Sequence, residues 1–337
     1  MIESRFLYAI CQPGAEPALK AEVARVRPEL RPAFARPGFV TFKSAAPLAP
    51  DVRLESVFAR AYGLSLGDVS PVDAARAWGA PVRLHAWSAS LEESVRAAGP
   101  GLFRAGARAR AGERVLDVID VAGEPRWVGA HIHDASRSPW PAGTWPVEVP
   151  PDAPSRAYRK LEEAIAWSGA RVGKGQVAVE IGSAPGGASY ALLRRGLSVV
   201  GVDPGAMAPV VLAYSPERFR HLQIPVGALR RELLPARVDW LLLDVHLAPQ
   251  VALHAVRRIV APLRRHLRGV FFTLKLNDWS MAALVPSLIA RVEGMGLVGV
   301  RATQLPSAGQ EICVHAEARS GSAARPGRRP AGAPSRR

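Results

Sequence analysis

Cysteine is nearly absent from this 337-residue chain: Cys11 and Cys313 are its only two. Two isolated thiols build neither a disulfide framework nor a zinc site, so no metal is expected and a reducing cytoplasm fits. No apolar run approaches the roughly 18 residues of a membrane span. The start, MIESRFLYAI, carries an acid and lacks a long apolar core, so neither a signal peptide nor membrane attachment is expected. Lysine is scarce too. Of 44 basic residues only five are lysine: Lys20, Lys43, Lys160, Lys174 and Lys275. A plain surface cation here is nearly always arginine. At Lys160 and Lys275 the retained lysine points to a position that needs a compact amine able to lose its proton, which arginine cannot do, while Lys20, Lys43 and Lys174 read as solvated surface charges.

Acid is in deficit, and the net charge of +15 points to an anionic partner, most simply a nucleic acid. The excess is uneven. Residues 1–150 hold 18 basic and 16 acidic residues, residues 151–316 hold 20 and 12, and residues 317–337 hold 6 and 1. The positive field belongs to the second half and the tail.

That second half alternates strand and helix patterns. Strands are expected at Val177–Gly182, Ser198–Asp203, His221–Val226, Val238–Val245 and Gly269–Leu276. Helices are expected at Ala188–Arg195, Val251–His266 and Ser280–Met295, and a hairpin at Val298–Leu305 and Glu311–Glu317. Strands alternating with helices predict a doubly wound, mostly parallel α/β sheet whose ligand sits at the carboxyl ends of the strands. The first half reads as α+β. Its strands are expected at Phe6–Ile10, Phe39–Lys43, Val82–Ser88, Val115–Val121 and Trp127–His133, with helices at Glu16–Val26 and Leu91–Ala98. The boundaries that follow are 1–137 for the α+β region, 138–154 for a connector rich in proline and tryptophan, and 155–318 for the α/β domain. Residues 319–337 form a basic tail without aliphatic anchors, expected to be disordered.

The strongest local signal is Glu180-Ile-Gly-Ser-Ala-Pro-Gly-Gly187, followed by a helix and then Val200-Gly-Val-Asp203. Small residues after a first strand let the backbone approach a ligand, and an acid ending the second strand accepts both hydroxyls of an adenosine ribose. The glycines are not spaced G-x-G-x-x-G, and no helix start is laid out for a pyrophosphate. That disfavours NAD or FAD and favours S-adenosyl-L-methionine. Asp244 and Lys275 each close an apolar strand on the ligand side. Glu311 opens a strand read as antiparallel, which puts it near the same edge. Lys160 lies on a helix before the first strand.

Ser155-Arg-x-x-x-Lys160-Leu, the Ala184-Pro185-Gly186-Gly187 loop, Asp203, Asp244, Lys275 and Glu311 resemble, in order and spacing, the FtsJ-like ribose 2'-O-methyltransferases. The resemblance implies a Rossmann-like domain with a seven-stranded sheet and a Lys160-Asp244-Lys275-Glu311 catalytic tetrad. It also implies that Ser155, Gly182, Ser183, Ala184, Pro185, Gly186, Gly187, Ala188, Asp203, Gly227 and Asp244 line the S-adenosyl-L-methionine site. Arg5-Phe-Leu-Tyr8, Pro13-Gly14, Ser138-Pro-Trp140 and Pro151-Asp-Ala-Pro-Ser-Arg156 are similar to segments of the bacterial enzymes that methylate a 23S rRNA cytidine, which have a THUMP-type N-terminal region. The resemblance spans roughly residues 5–318 and implies an RNA partner and a monomer. The chain departs from those enzymes at Ala184 and Ala188, where they have Cys and Trp. It departs again near Gly227, where an adenine-contacting acid is expected and Glu232 is the nearest substitute. Other readings that stay open are action on tRNA or mRNA, a silent RNA-binding protein, and a dinucleotide oxidoreductase.

On the reaction so implied, Lys275 takes the proton of a ribose 2'-hydroxyl, Asp244 fixes Lys275, and Lys160 and Glu311 hold the ribose. Arg156, Arg159, Arg194, Arg195, Arg230, Arg231, Arg257, Arg258, Arg264 and Arg265 are candidates for phosphate contacts. Arg104, Arg108, Arg110 and Arg114 form the basic cluster of the first half. His131 and His133 are expected to pack and not to bind metal, and Trp140 and Trp145 to pack at a domain interface.

Overall fold

A computed structural model of the chain describes residues 2–121 and 123–318, and these build two seven-stranded sheets. The tail from residue 319 lies outside the described residues.

The first sheet comes from β1 (Ser4–Ile10), α1 (Glu16–Val26), β2 (Leu30–Arg36), β3 (Phe39–Leu48), β4 (Ala61–Gly67), α2 (Pro71–Ala77), β5 (Arg83–Ala86), α3 (Ala89–Ala98), β6 (Arg114–Ile119) and β7 (Trp127–Ile132). Its strand order is β2-β3-β1-β4-β7-β6-β5, and its one parallel pair is β5 with β6. Ser70 and Ser88 cap α2 and α3 by accepting from the Asp73 and Leu91 amides, each at 3.2 Å, which satisfies donors left free at a helix start.

The second sheet follows α4 (Ala157–Ser168). It comprises β8 (Val177–Ile181), α5 (Gly187–Arg194), β9 (Ser198–Val202), α6 (Pro209–Tyr214), β10 (Phe219–Leu222), β11 (Trp240–Asp244), α7 (Pro249–Leu263), β12 (Gly269–Lys275), α8 (Val285–Glu293), β13 (Leu297–Thr303) and β14 (Glu311–Ala318). The order is β10-β9-β8-β11-β12-β14-β13, with the first five strands parallel and β14 inserted antiparallel between β12 and β13. Both faces are buried, which is why β11 reads as continuous apolar sequence. Leu241 and Leu243 enter one core while Trp240 and Leu242 enter the other. The first of these cores continues into the N-terminal half through Leu7, Ala9, Leu19 and Phe42. The Phe58 and Trp279 rings also meet across the two halves, at 6.3 Å between centroids.

Several expected elements differ. The helix expected at Ser280–Met295 is two pieces, a 3-10 segment at Trp279–Leu284 and then α8. Pro286 has no amide hydrogen to continue the ladder and sits in the first turn of the new helix. The strand expected at His221–Val226 lies earlier, at Phe219–Leu222, where it pairs with Val199–Val202 before Pro225 turns the chain away. β2, β4, α2 and α6 have no counterpart in the sequence reading. β2 carries Pro32, tolerated because β2 is an edge strand with a register shift between Pro32 and Phe34. β4 holds two glycines in seven residues, which erases the usual strand signature. The connector is irregular apart from a 3-10 turn at Pro141–Gly143.

Candidate active site

The parallel strands of the second sheet deliver their last residues to one edge. Asp244 ends β11 and Lys275 ends β12. Because β14 runs the other way, its first residue, Glu311, pairs in register with Lys275. Lys160 projects from the first turn of α4, whose Leu161, Ala164 and Ile165 are buried against the domain.

These four side chains close a ring of alternating charge. Lys160 Nζ lies 2.8 Å from Asp244 Oδ2 and 3.0 Å from Glu311 Oε1. Lys275 Nζ lies 2.8 Å from Asp244 Oδ1 and 2.5 Å from Glu311 Oε2. Each carboxylate thus bridges both ammonium groups, and the ring is neutral as a whole. The side chains are 9 to 22% exposed, so the ring is shielded but reachable. Burial pulls the Lys160 amine down, yet Asp244 and Glu311 more than offset it and hold the group above its ordinary pKa. Burial likewise opposes charge on Asp244, but Lys160 and Lys275 hold its carboxyl below the usual range.

Beneath the ring a cavity of about 40 Å³ is lined by Lys160, Glu180, Asp244, Thr273 and Cys313 among others. Glu180 is buried and accepts from the Ser189 hydroxyl at 2.5 Å. Burial pushes its carboxyl up to about 8, so it is protonated at neutral pH.

The loop between β8 and α5 lies beside the ring. Gly182 has φ +85°, and a Cβ there would run into the Asp244 carbonyl, so only glycine lets the loop pass this close to β11. A Cβ on Gly187 would meet the Ser155 hydroxyl and stand 2.9 Å from the Tyr158 amide. Ser155 and the start of α4 therefore rest directly on the start of α5, leaving no open cradle for a pyrophosphate. Ala184 and Pro185, joined by a cis peptide, stand at the loop's outer turn, while Gly186 and Ala188 are buried. Asp203 follows β9. Its carboxylate accepts from the Ala184 amide at 3.2 Å and the Gly205 amide at 2.7 Å. Each carboxylate oxygen keeps a further lone pair for a hydroxyl donor.

Two expected cofactor residues sit differently. Ser183 is buried, its hydroxyl 3.8 Å from the Met207 sulfur, so it offers a ligand backbone only. Gly227 lies exposed in a 3-10 turn at Val226–Ala228, its carbonyl accepting from Arg258 at 2.9 Å. Glu232 is exposed in the next 3-10 turn, Arg231–Leu233.

Three positioning residues were not read from sequence. Glu163, buried on α4, accepts from the Ser307 amide at 3.0 Å and hydroxyl at 2.6 Å. Gln12 of the N-terminal half donates to the Pro306 carbonyl at 3.1 Å and also to that of Ala308. Together they fix the turn that leads into Glu311. An acid among the apolar positions of α4 was the only available hint for Glu163; Gln12 and Ser307 carried none. Of the candidate phosphate contacts, Arg195 is committed to Glu162, Arg231 to the Leu234 and Ala236 carbonyls and Arg258 to 226–227 carbonyls, while Arg156 and Arg159 beside the ring are exposed.

Comparison with known proteins agrees with this geometry. Residues 153–266 match the FtsJ-like methyltransferase family. The chain is 34% identical over 239 residues to the ribosomal RNA large subunit methyltransferase M of Alkalilimnicola ehrlichii, covering 66% of this chain and 60% of that protein. The protein of the same name from Halorhodospira halophila is 34% identical over 187 residues, covering 53% of this chain and 52% of its own length. That from Dickeya chrysanthemi is 30% identical over 235 residues, with 66% and 62% covered. The chain thus spans about half to three fifths of the length of these curated relatives, a shorter match than the 5–318 resemblance expected from motifs. The family match contains Lys160, Asp203 and Asp244 and stops before Lys275 and Glu311, which join the site through sheet register. Residues 153–266, which carry the match to the FtsJ-like methyltransferase family, lie in a doubly wound sheet of Rossmann type.

Proposed function

We propose that the chain transfers a methyl group from S-adenosyl-L-methionine to a ribose 2'-hydroxyl of RNA, most specifically a cytidine of 23S rRNA, in the cytoplasm and as a monomer. The observation that carries this reading is the closed ring of Lys160, Asp244, Lys275 and Glu311 beside the Gly182–Gly187 loop. On this reading Asp203 takes the cofactor's ribose hydroxyls, and Gly182, Ala184, Pro185, Gly186, Gly187 and Ala188 shape the loop that admits it, with Ser155 behind. Ser183 and Gly227 contribute backbone at most. The bound cofactor supplies an electrophilic methyl, whose carbon–sulfur bond breaks with both electrons left on sulfur as the carbon–oxygen bond forms.

The ring does the rest. Lys160 and Glu311 hold the ribose, so that the hydroxyl meets the methyl in line. For the step Lys275 first gives one ammonium proton to solvent; the resulting amine then accepts the hydroxyl proton as the new bond forms, and Asp244 keeps it aimed. The ring is one proton short before the transfer and neutral again after it. Residues 1–137 are read as a THUMP-like RNA-binding region reached through the 138–154 connector. The names of the similar proteins favour 23S rRNA over tRNA or mRNA.

The test is transfer of labelled methyl to 23S rRNA lacking 2'-O-methylation. Label in a ribose, lost in Lys275→Ala with cofactor binding intact, is expected. Full transfer by Lys275→Ala would overturn the assigned base, and label on tRNA alone would overturn the substrate.

A further inference from the structure

The four arginines of the N-terminal basic cluster separate in the structure. Arg104 donates to the Pro81 carbonyl at 3.2 Å, and Arg114 to the Trp78 and Gly79 carbonyls at 2.7 and 2.9 Å. Arg108 and Arg110 are exposed, and neither side chain has an ion pair or hydrogen bond among the described residues. Both line a cavity of about 840 Å³, which also takes in the buried His133 and Arg137 and the half-buried Trp140 and Trp145 of the connector. That volume is within the roughly 300–1,000 Å³ of clefts that take small ligands.

The cationic wall is held in shape. Buried Arg83 donates to the Ala105 and Gly106 carbonyls, the latter at 2.8 Å, and to Glu113 at 3.1 and 2.9 Å. The Ala109 amide donates to the Pro139 carbonyl at 2.8 Å, tying the loop to the connector that carries the tryptophans. The Gly112 amide donates to the His133 carbonyl at 2.9 Å. A loop pinned at these points loses little freedom when a ligand arrives.

We propose that this cavity holds one unpaired nucleotide of the RNA substrate, its base against Trp140 or Trp145 and its flanking phosphates on Arg108 and Arg110. The proposal rests on the reading that the substrate is RNA. Indole faces stack on any base, and guanidinium groups suit phosphate oxygens. An acidic peptide would satisfy the arginines but leave the indoles without a flat partner. A duplex keeps its bases stacked inside and offers no free face. The site is separate from the ring, so it would set where RNA is gripped and not how the methyl moves.

The full chain would be titrated against a short fluorescein-labelled single-stranded RNA, the same strand with abasic positions, and the matching duplex. Wild type should prefer the intact single strand. Arg108→Ala/Arg110→Ala, at two exposed positions, should weaken single-strand binding about tenfold and reduce the slope of log affinity against log salt by about 1.4, two phosphates at about 0.7 each. Trp140→Ala/Trp145→Ala should abolish the preference for bases and leave the salt slope alone. Unchanged affinity in the double variant, equal wild-type affinity for the abasic strand, or an equal loss on the duplex would each overturn the proposal. Titration of the same proteins with S-adenosyl-L-methionine separates the two readings. Wild type that binds RNA through Arg108 and Arg110 but takes no cofactor would leave this site standing and remove the proposed reaction. Methyl transfer with RNA binding indifferent to Arg108 and Arg110 would do the reverse.

Discussion

Each half of the molecule gathers titratable side chains, and the two clusters are built on opposite plans. The ring of Asp244, Lys275 and Glu311 at strand ends, with Lys160 reaching in from α4, balances two positive against two negative charges and gives every charged group two partners. The N-terminal cluster sits along the middle of β5, β6 and β7. There Asp117 accepts from His131 Nδ1 at 2.7 Å and lies 3.5 Å from His85 Nδ1, with His133 and Tyr8 alongside. Burial opposes charge on Asp117, but His131 and His85 hold it well below the usual carboxylate range. Burial keeps His131 and His133 below their ordinary values, so both are neutral at pH 7. Among the described residues, Tyr8 Oη, His85 Nε2, His131 Nε2 and His133 Nδ1 lack a hydrogen-bond partner. The mere presence of several titratable groups would not tell the clusters apart. Placement separates them: the ring is where a doubly wound sheet receives a ligand, whereas the histidines lie inside a sheet.

The contrast can be broken by mutation. Lys160→Met should lower methyl transfer by about 10²–10³-fold, the scale of losing one preorganised donor, in single-turnover measurements. Near wild-type transfer would mean that the ring is a structural clasp. Asp117→Asn should do the opposite, leaving transfer per folded molecule unchanged while costing about 1–3 kcal/mol of stability in denaturant titration, as when a buried hydrogen bond to a charged group is lost. A loss of transfer without a loss of stability would erase the distinction. Acid should act on the N-terminal cluster as well. The His133 imidazole is pushed down to about 4, against about 6.5 in an unfolded chain. The unfolded chain therefore binds the proton first, so this contribution is intact above pH 6.5 and is lost as pH falls toward 4. Melts at pH 7 and pH 5 should show the decline, and His133→Gln should flatten it. The opposite sign is expected at Glu180, held protonated up to about 8. The unfolded chain loses that proton near 4.5, so stability falls as pH rises from 4.5 to 8. Glu180→Gln should match wild type near pH 5 and exceed it at pH 8; a melt showing no gain at pH 8 would put the charged form in the native core.

The meeting of Asp244, Lys275 and Glu311 was legible because they fell at strand ends that apolar runs had already marked, whereas Lys160, on a helix, was drawn in only by the family resemblance. The antiparallel sense of β14 was legible from the hairpin, and it correctly brought Glu311 to the same edge. Whatever depended on partners distant in sequence was not legible. Nothing in Gln12 or Ser307 announces that they brace the turn before Glu311, because their partners lie 294 and 144 residues away. The basic cluster was visible as four arginines, but which of them were spent on carbonyls depended on how α2 and the loops fold back. Trp140 and Trp145 were expected to pack at an interface; both line a cavity, and Trp145 also borders a second one shared with Trp167, Val285 and Arg301 of the other half.

The register of β12 with β14 has one more consequence. The ring draws on residues 160, 244, 275 and 311, and its final member arrives only when β14 slides between β12 and β13. A nascent chain interrupted before that strand would already possess the glycine loop and Asp203, yet would face its ligand with two amines and a single acid. A slip of one residue would turn Glu311 to the opposite face. On the proposed reaction, competence would work as a completeness check on synthesis: half-made copies could sequester cofactor, but only a finished sheet could spend it.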